Sequence, residues 1–364
     1  MNHDVIQDRY ARLFELPQGL SVRCETHGLC LDYRLTSPAP TPADLAGHWR
    51  RINIPRTLFF GWLVQAIVLL RRLRPEVLVA SSDCLCVVLG YGFSRLVGAR
   101  FFADLYDEYD TFGLSKIPGL RSLYRRALVR ADGLVAVSET LGEDLRQQYP
   151  GKPVMVLEST IDAALFYPRD KAASRHELGL DKFQGKKLVG ACGGLNQFHG
   201  ADIVFEAFRQ ITRDDPGIVC VVAGKLYDDC PLPESENIIY LGMLPHTQMP
   251  SFYSAMDVVV VPLSNTRFGY YAFPQKAYEV LACRAPAAAA DVGALGKLFE
   301  AVPRIKYDPE SSSDLARVIV AQADEHVLLE VDIPTWADQA VRLGAFIGIQ
   351  ASADRGEAYS SNTA

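Results

Sequence analysis

The residues of this 364-residue chain whose types and spacing best suit chemistry lie between Phe268 and Glu279. Pro274 stands where a helix can begin, because its ring presets φ and its missing N–H costs nothing at a first helical position. Lys276 follows in the first turn, where a cation opposes the helix dipole and does not stabilise the helix. This lysine and the free backbone N–H groups can instead bind one anion, such as a diphosphate. Glu279 lies on the same helical face, where its carboxylate can accept hydrogen bonds from a ribose diol.

A glycine pair is the second candidate for an anion site. Gly193 and Gly194 follow a predicted strand at 187–192 and precede a predicted helix at 202–212. Glycines at such a turn let a phosphate approach the backbone closely. The alternatives are a tight turn without a ligand here, and a surface lysine and glutamate on an ordinary amphipathic helix in the first stretch. The pattern is not Gly-x-Gly-x-x-Gly, so a nicotinamide-dependent dehydrogenase is not favoured.

An acidic cluster forms the third candidate, at the end of a predicted strand over 100–106. It comprises Asp104, Asp107, Glu108 and Asp110. Ligands of parallel α/β sheets bind beyond the carboxyl ends of the strands, which makes Asp107 the residue of most interest. The spacing fits no calcium loop, and a solvated acidic turn is the alternative interpretation.

Composition and charge narrow the function classes. The chain has 37 Lys plus Arg against 43 Asp plus Glu, for a net charge of −6, so nothing indicates global nucleic-acid binding. Its eight cysteines match no zinc spacing and indicate free thiols. We find no signal peptide, and the longest apolar run, 58–70, is too short to span a bilayer. We therefore expect a cytoplasmic protein.

Two basic helices offer a contact with the inner face of a membrane. They are predicted at 56–73, which ends in Arg71, Arg72 and Arg74, and at 120–131, which carries four arginines. Basic segments with aromatic or apolar side chains attach to membrane surfaces. The alternative is a pair of core helices with solvated arginines.

The elements that must position these residues alternate between strands and helices. We predict strands at 28–33, 76–80, 100–106, 133–137, 154–157, 187–192, 217–223, 237–241, 257–261 and 286–290. We predict helices at 8–20, 56–73, 84–97, 120–131, 139–148, 202–212, 274–283, 295–301, 312–324 and 335–347, and one more that follows residue 246 and ends at 256. Short apolar strands alternating with helices indicate parallel sheets covered on both faces, here in an α/β protein of two domains. The polar segment 169–181 marks the predicted boundary. No buried strand precedes Asp8, so a first strand is either absent or upstream.

Several segments together resemble glycosyltransferase family 4, the retaining nucleotide-sugar transferases of the GT-B fold. They read Arg-Ala-Asp-Gly-Leu-Val-Ala-Val-Ser at 130–138, Leu-Glu-Ser-Thr-Ile-Asp at 157–162, Tyr-Leu-Gly-Met-Leu-Pro at 240–245, Tyr-Ser-Ala-Met-Asp-Val-Val-Val-Val-Pro at 253–262 and Phe-Pro-Gln-Lys-Ala-Tyr-Glu at 273–279. The similarity extends over residues 8–347 and rests on the order and spacing of these segments.

This resemblance implies two Rossmann-like domains facing a cleft: an acceptor domain over 1–165 and a nucleotide-sugar domain over 166–332. A helix at 333–350 would cross back to the first domain, and 351–364 would form a disordered tail. Asp107 and Lys276 would be catalytic, since Asp107 matches a position beside the reacting sugar carbon. The implied nucleotide-sugar site comprises Gly193, Gly194, Asn196, His199, Pro245, Tyr271, Phe273, Pro274, Lys276 and Glu279.

The chain departs from the family pattern at the residues that contact the sugar and the diphosphate. Tyr271 occupies the place of the first of two glutamates, and Gly194 and His199 occupy those of an arginine and a lysine. We interpret Lys276 as their replacement, so that neither a metal nor a cofactor other than the donor is required.

The implied reaction moves a sugar from a nucleoside diphosphate sugar to a hydroxyl of a saccharide or lipid-linked acceptor, in polysaccharide or glycoconjugate biosynthesis. The alternative is a weakly active or inactive nucleotide-sugar-binding scaffold of a polysaccharide assembly complex.

Overall fold

The computed structural model describes residues 5–9, 11–32, 41–45, 48–53, 58–109 and 117–349. The tail predicted at 351–364, Asp110, and the first two residues of the helix predicted at 56–73 lie outside them. The chain divides into two compact units, one of Met1–Ser159 with Pro334–Ala364 and the other of Thr160–Ile333.

In the residues that the structure describes, the first unit holds a four-stranded sheet and a separate strand pair, and every pairing among them is parallel. The sheet order is β3-β4-β5-β6, and β1 pairs with β2. The strands are β1 (Gly28–Asp32), β2 (Trp49–Asn53), β3 (Val77–Ser81), β4 (Arg100–Leu105), β5 (Gly133–Ala136) and β6 (Val154–Val156). The helices are α1 (Val5–Asp8), α2 (Arg12–Ser21), α3 (Leu58–Leu73), α4 (Cys84–Val97), α5 (Leu120–Arg130) and α6 (Glu139–Gln148), joined by α14 (Trp336–Phe346).

Local sequence explains where these helices begin and end. The Asp83 carboxylate accepts the Cys86 N–H at 2.8 Å and caps α4, which ends at Gly98 with a φ of 76°. Ser138 caps α6 in the same way by accepting the Leu141 N–H at 3.2 Å. Side-chain oxygens at the first position therefore satisfy backbone donors that the helix itself leaves unbonded.

The second unit contains one six-stranded sheet, again parallel throughout. Its strands are β7 (Lys187–Leu195), β8 (Ile218–Leu226), β9 (Ile238–Tyr240), β10 (Val258–Val261), β11 (Ala287–Ala290) and β12 (Lys306–Tyr307). Its helices are α7 (Lys171–Glu177), α8 (Ala201–Asp214), α9 (Met249–Ala255), α10 (Arg267–Tyr271), α11 (Lys276–Ala282), α12 (Gly293–Leu298) and α13 (Ser312–Asp324). Two neighbouring inner strands, β10 and β11, are completely buried, as apolar runs in a covered parallel sheet must be.

The strand order places a switch point at the middle of this second sheet. The order is β12-β11-β10-β7-β8-β9, so the chain leaves β7 toward one edge and returns to its other side with β10. In open α/β sheets, ligands bind beyond the carboxyl ends of the strands where the order reverses. The segments after β7 and β10 are therefore the expected walls of a site in this unit.

The polar segment predicted as the domain boundary contains a helix, α7. Asp170 caps it by accepting the Ala173 N–H at 2.7 Å. Lys171 and Arg175 pair with Asp257 at 2.9 and 2.7 Å, which attaches the helix to the second unit. The segment is polar because α7 lies on the surface, so polarity alone did not distinguish a surface helix from a linker.

The final helix, α14, packs against α2 in the first unit. Trp336 and Leu343 share a buried cluster with Leu16 and Leu20 of α2. The Gln339 side-chain amide also donates to the Glu158 carbonyl at 2.9 Å. In the ranges that the structure describes, no helix is long and apolar enough to cross a bilayer.

Candidate functional site

The glycine pair lies at the end of β7 and not in a loop after it. The strand predicted to end at residue 192 continues to Leu195, and Gly193 pairs in register with Gly224 of β8. A Cβ at Gly224 would overlap the Gly193 carbonyl oxygen, so glycine at position 224 permits this close approach. The prediction of a loop was wrong because glycines in register can continue a strand pair.

Lys276 lies against this glycine strand. Its ammonium donates to the carbonyl of Cys192, and a Cβ built on Gly193 would lie 2.9 Å from the lysine nitrogen. The ammonium is therefore held beside the backbone of residues 192–193, at the switch point of the sheet. The structure thus brings together the two anion-binding candidates that are 83 residues apart in sequence.

The helix that carries Lys276 begins later than predicted. α11 starts at Lys276, with Gln275 before it. The Pro274 carbonyl accepts the Ala277 N–H at 2.9 Å, so Pro274 contributes its carbonyl ahead of the helix and is not its first residue. The missing N–H of proline is equally harmless there, which is why the sequence did not separate the two positions.

A buried tyrosine, Tyr253, holds the Glu279 side chain through a hydrogen bond. The hydroxyl of Tyr253 donates to its carboxylate at 2.6 Å, and the Gln275 amide approaches the other oxygen at 3.4 Å. The Cys192 thiol donates to the Tyr253 hydroxyl at 3.6 Å. Burial raises the pKa of Glu279, and the hydrogen bond from Tyr253 opposes that rise. Sequence reasoning missed Tyr253, because no spacing connects α9 with α11.

Asn196 and His199 form a second hydrogen-bonded pair after β7. The Asn196 side-chain oxygen accepts the His199 backbone N–H at 3.0 Å and lies 2.8 Å from Nδ1 of the ring. His199 is half-buried. Burial, and then the charge of Lys276, lower its pKa below the usual value. His199 and Lys276 therefore belong to one electrostatic cluster.

Aromatic contacts join the loop after β7 to the loop after β10. The rings of Phe198 and Phe268 lie 4.6 Å apart, and His199 meets Phe268 edge-on at 5.7 Å. The Ser264 hydroxyl donates to the Phe198 carbonyl at 2.7 Å. The loops after β7 and β10, which flank the switch point of the sheet, are thus in direct contact.

Three other predicted residues have contacts of a different kind. Phe273 is buried and its ring lies 4.8 Å from that of Tyr278, which makes it a core residue. Tyr271 lies beneath the Arg267 guanidinium at 5.5 Å. Pro245 precedes a 3₁₀ turn, His246–Gln248.

The structure brings His246, which follows Pro245, close to Glu279. His246 contacts Phe166 edge-on at 5.2 Å. Its charge lowers the pKa of Glu279. The segment around residue 245 therefore borders the cluster through His246.

Asp107 belongs to the first unit, beyond the end of β4. Its carboxylate accepts the Glu108 N–H at 2.8 Å. Burial raises its pKa to about 7, and the neighbouring Glu108 charge adds to the rise. A carboxyl group poised near neutral pH is suited to acid–base chemistry.

Asp104, in contrast, is structural. It is buried and pairs with Arg12, whose Nε lies 3.0–3.1 Å and whose terminal nitrogen lies 2.6 Å from the carboxylate. Such a two-point pair compensates for burying both charges. Within the described residues, no three or more His, Cys, Asp or Glu side chains are arranged to hold a metal ion.

Part of the second unit is similar to a known family of proteins. Residues 186–324 match the family model of glycosyl transferases group 1. The chain is 30% identical over 181 residues to a D-inositol 3-phosphate glycosyltransferase of Segniliparus rotundus, a match covering 46% of this chain and 39% of that relative. The chain therefore spans about two fifths of the length of that relative.

Two solved structures show the same fold at low identity. A glycosyltransferase from Rickettsia africae has a TM-score of 0.66 at 14% identity, covering 92% of this chain and 88% of its own. HepE from Anabaena, in complex with UDP-glucose, has a TM-score of 0.61 at 16% identity, covering 88% and 95%. Residues 186–324 thus match the glycosyl transferases group 1, on a chain whose fold is that of the GT-B glycosyltransferases.

Proposed function

We propose that this protein is a retaining glycosyltransferase that moves a sugar from a nucleoside diphosphate sugar to a hydroxyl of a saccharide or lipid-linked acceptor. One observation supports it above all. The Lys276 ammonium lies beside the Gly193 backbone at the switch point of the sheet, and Glu279 follows three residues along α11. In a bound nucleoside diphosphate sugar, the diphosphate would lie against Lys276 and the ribose diol against Glu279.

The chemistry expected of this site is stabilisation of a leaving group. Breaking the glycosidic bond places negative charge on the departing diphosphate, and a fixed ammonium beside it stabilises that charge in the transition state. Glu279 would accept hydrogen bonds from the ribose, with Tyr253 holding its carboxylate. We further propose that Asp107 acts beside the reacting sugar carbon. In this scheme Lys276 supplies the positive charge, so no metal ion is needed.

Lys276→Ala tests the proposal directly. With UDP-glucose as probe and release of UDP as the signal, we expect kcat to fall by about 10²–10³-fold, the usual loss for one preorganised electrostatic donor. Lys182→Ala, on an exposed lysine of the same unit, is the matched control. Addition of EDTA should leave turnover unchanged, and NMR of the product should show the donor's anomeric configuration.

A nucleotide-sugar-binding protein without catalytic activity would give a different result. It would bind UDP-glucose and related donors in calorimetry, yet neither hydrolyse nor transfer the sugar above background with any acceptor class. The replacement of the expected glutamate by Tyr271 is the feature that favours this second candidate. Binding without turnover would therefore refute the enzymatic proposal while keeping the ligand.

We also propose that the first unit attaches to anionic membranes, where a lipid-linked acceptor would be found. Val64 and Val68, one turn apart on α3, are 57% and 61% exposed, and the helix ends in Arg71 and Arg72. An apolar strip beside arginines suits the surface of an anionic bilayer. Co-sedimentation with phosphatidylglycerol vesicles but not with phosphatidylcholine vesicles is expected. Binding to neither kind of vesicle, or equal binding to both, would refute the attachment.

A further inference from the structure

We propose that His199 takes up a proton when a nucleotide diphosphate binds, so that donor binding is coupled to pH. This inference rests on the proposed function and adds a form of regulation to the same site. It follows from the hydrogen bonds of the ring and from the charges around it.

The hydrogen bonds determine which ring nitrogen is free to be protonated. The backbone N–H of His199 can only donate, so the Asn196 atom that it reaches at 3.0 Å is the side-chain oxygen. That same oxygen lies 2.8 Å from Nδ1. An amide oxygen can only accept, so Nδ1 carries a hydrogen and Nε2 has the lone pair in the neutral ring. Protonation therefore occurs at Nε2 without disturbing the Asn196 contact.

The surroundings of the ring favour the neutral form before a ligand binds. From α11 the ring faces the positive charge of Lys276, from α10 it meets the uncharged ring of Phe268, and on its own segment it contacts Asn196 and Phe198. Burial lowers the pKa of His199, and the charge of Lys276, the charged group among the described residues that acts on it, lowers that pKa further. Burial and the positive charge of Lys276 thus both favour a neutral imidazole.

A bound diphosphate would reverse this preference. Each phosphate of a nucleoside diphosphate sugar carries a single negative charge that does not titrate near neutral pH. Lys276 balances one of them. A proton on Nε2 would balance the other, because an adjacent anion stabilises the charged imidazole. The family that the chain resembles would have an arginine and a lysine here, both permanently charged. In this chain Lys276 is permanently charged, and His199 is charged only when protonated.

The consequence is an affinity that depends on pH. Where the empty site binds fewer protons than the occupied one, the Kd for the donor rises by up to about tenfold per pH unit. The Kd rises at pH values between the pKa of the His199 ring in the free protein and the higher pKa of that ring with ligand bound. Donor binding would therefore weaken as the pH rises through neutrality.

Calorimetry of UDP-glucose binding at pH 7 in Pipes and in Tris measures the coupled proton, because the two buffers release different heats when they give it up. We expect net uptake of a proton by the wild-type protein, and uptake near zero with a weaker but pH-independent Kd in His199→Gln. His176→Gln, on an 83% exposed histidine of the same unit, should retain the wild-type uptake.

The possible outcomes separate this inference from the proposed function. UDP-glucose binding without proton uptake by the wild type overturns the role of His199 and leaves the proposed function intact. Uptake that persists in His199→Gln assigns the proton to another group, such as Glu279, and also overturns it. A failure of the wild type to bind UDP-glucose, UDP, ADP or GDP at millimolar concentration overturns both. The wild-type measurement does not depend on whether the variant folds.

Discussion

Tyr253 is a completely buried residue of α9, and its hydroxyl donates to the carboxylate of Glu279 at 2.6 Å. It acts on the candidate site through Glu279, so we assign it a positioning role. The hydrogen bond both orients Glu279 and opposes the rise in pKa that burial imposes on that carboxyl. A phenylalanine would keep the packing and lose both effects.

Tyr253→Phe should therefore weaken nucleotide binding without unfolding the protein. A hydrogen bond to a charged group contributes about 1.5–3 kcal/mol, so we expect the Kd for UDP to rise by roughly tenfold or more. Calorimetric titration with UDP measures it. Tyr307→Phe, which removes a hydroxyl from another buried tyrosine of the same unit, serves as the control. An unchanged Kd would show that Glu279 is oriented by other contacts.

Asp107 offers a second test, because its raised pKa makes stability depend on pH. In the folded state burial holds its pKa at about 7, against 3.8 for the unperturbed group. The folded state therefore holds the proton more tightly, and the stabilisation is fully present below the unfolded pKa and lost as the pH rises through about 7. Asp107→Asn should raise the apparent Tm at pH 8 by more than at pH 4.5.

Asp338 in the same unit gives a control of opposite sign. The Thr335 hydroxyl lowers its pKa, so its contribution to stability is present above the unfolded pKa and lost as the pH falls through the folded one. Asp338→Asn should lower the Tm at pH 8 more than at low pH. Parallel shifts of both variants across the whole pH range would contradict the environment described for Asp107.

At the level of single residues, part of the arrangement of the candidate residues could be predicted from the sequence. The pairing of Lys276 with the glycine strand could be inferred, because helix dipoles and glycine turns have known chemistry. The role of Tyr253 could not be, since a hydrogen bond across 26 residues depends on how α9 and α11 pack. Phe273 was misplaced for the same reason: an aromatic residue beside a site motif does not reveal whether it faces a ligand or the core.

At the level of elements, prediction worked where local chemistry determines the ends. The helices α4, α6 and α13 begin and end as predicted, because each has a capping side chain: Asp83, Ser138 or Ser311. It failed where the pattern is ambiguous. The sequence does not predict strand β2, which contains Arg50 and Arg51, and the polar segment that forms α7 predicts only a domain boundary.

The pair of glycines where β7 meets β8 is the element-level feature on which the site most depends. Gly224 has a φ of 123°, and its missing side chain admits the Gly193 carbonyl. A methyl group there would push the end of β7 away from β8, and with it the carbonyl of Cys192 that holds Lys276. Stability and nucleotide binding should therefore change together.

Gly224→Ala should lower the Tm and weaken UDP binding. The disallowed backbone angle alone costs about 1–3 kcal/mol, and the overlap with Gly193 adds to it. Gly185→Ala is the matched control, because Gly185 has a φ of 83° with open space around it. It should lower the Tm less and leave the Kd for UDP unchanged. Equal effects of both variants on Kd would mean that backbone strain, and not the contact with Gly193, is responsible.

At the level of the whole molecule, the chain contributes to its first unit twice. The segment from Pro334 returns to that unit, where the Arg342 guanidinium donates to the Val156 carbonyl at 3.0 Å and Arg100 donates to the Ile347 carbonyl at 2.7 Å. The apolar positions of α14 predict a helix with one buried face. They do not identify its partner, so the apolar pattern alone could not assign this helix to a unit.

This organisation predicts that a core substitution near the end of the chain and a nucleotide act on different units. Leu343 is 3% exposed in the cluster with α2, and a leucine-to-alanine change in a core costs about 2–5 kcal/mol. Leu343→Ala should lower the unfolding transition of the first unit. UDP at a concentration of about 100 times its Kd should stabilise the second unit by about 2.7 kcal/mol and so raise the temperature of its unfolding transition.

Differential scanning calorimetry of the full-length chain, with and without UDP, distinguishes the two effects. Val341→Ala on the same helix is the control, because Val341 is 40% exposed and its loss should change neither transition appreciably. If Leu343→Ala instead lowered the transition that UDP raises, residues 334–349 would have to stabilise the nucleotide-binding unit. The C-terminal helix would then couple the two units and not simply complete the first.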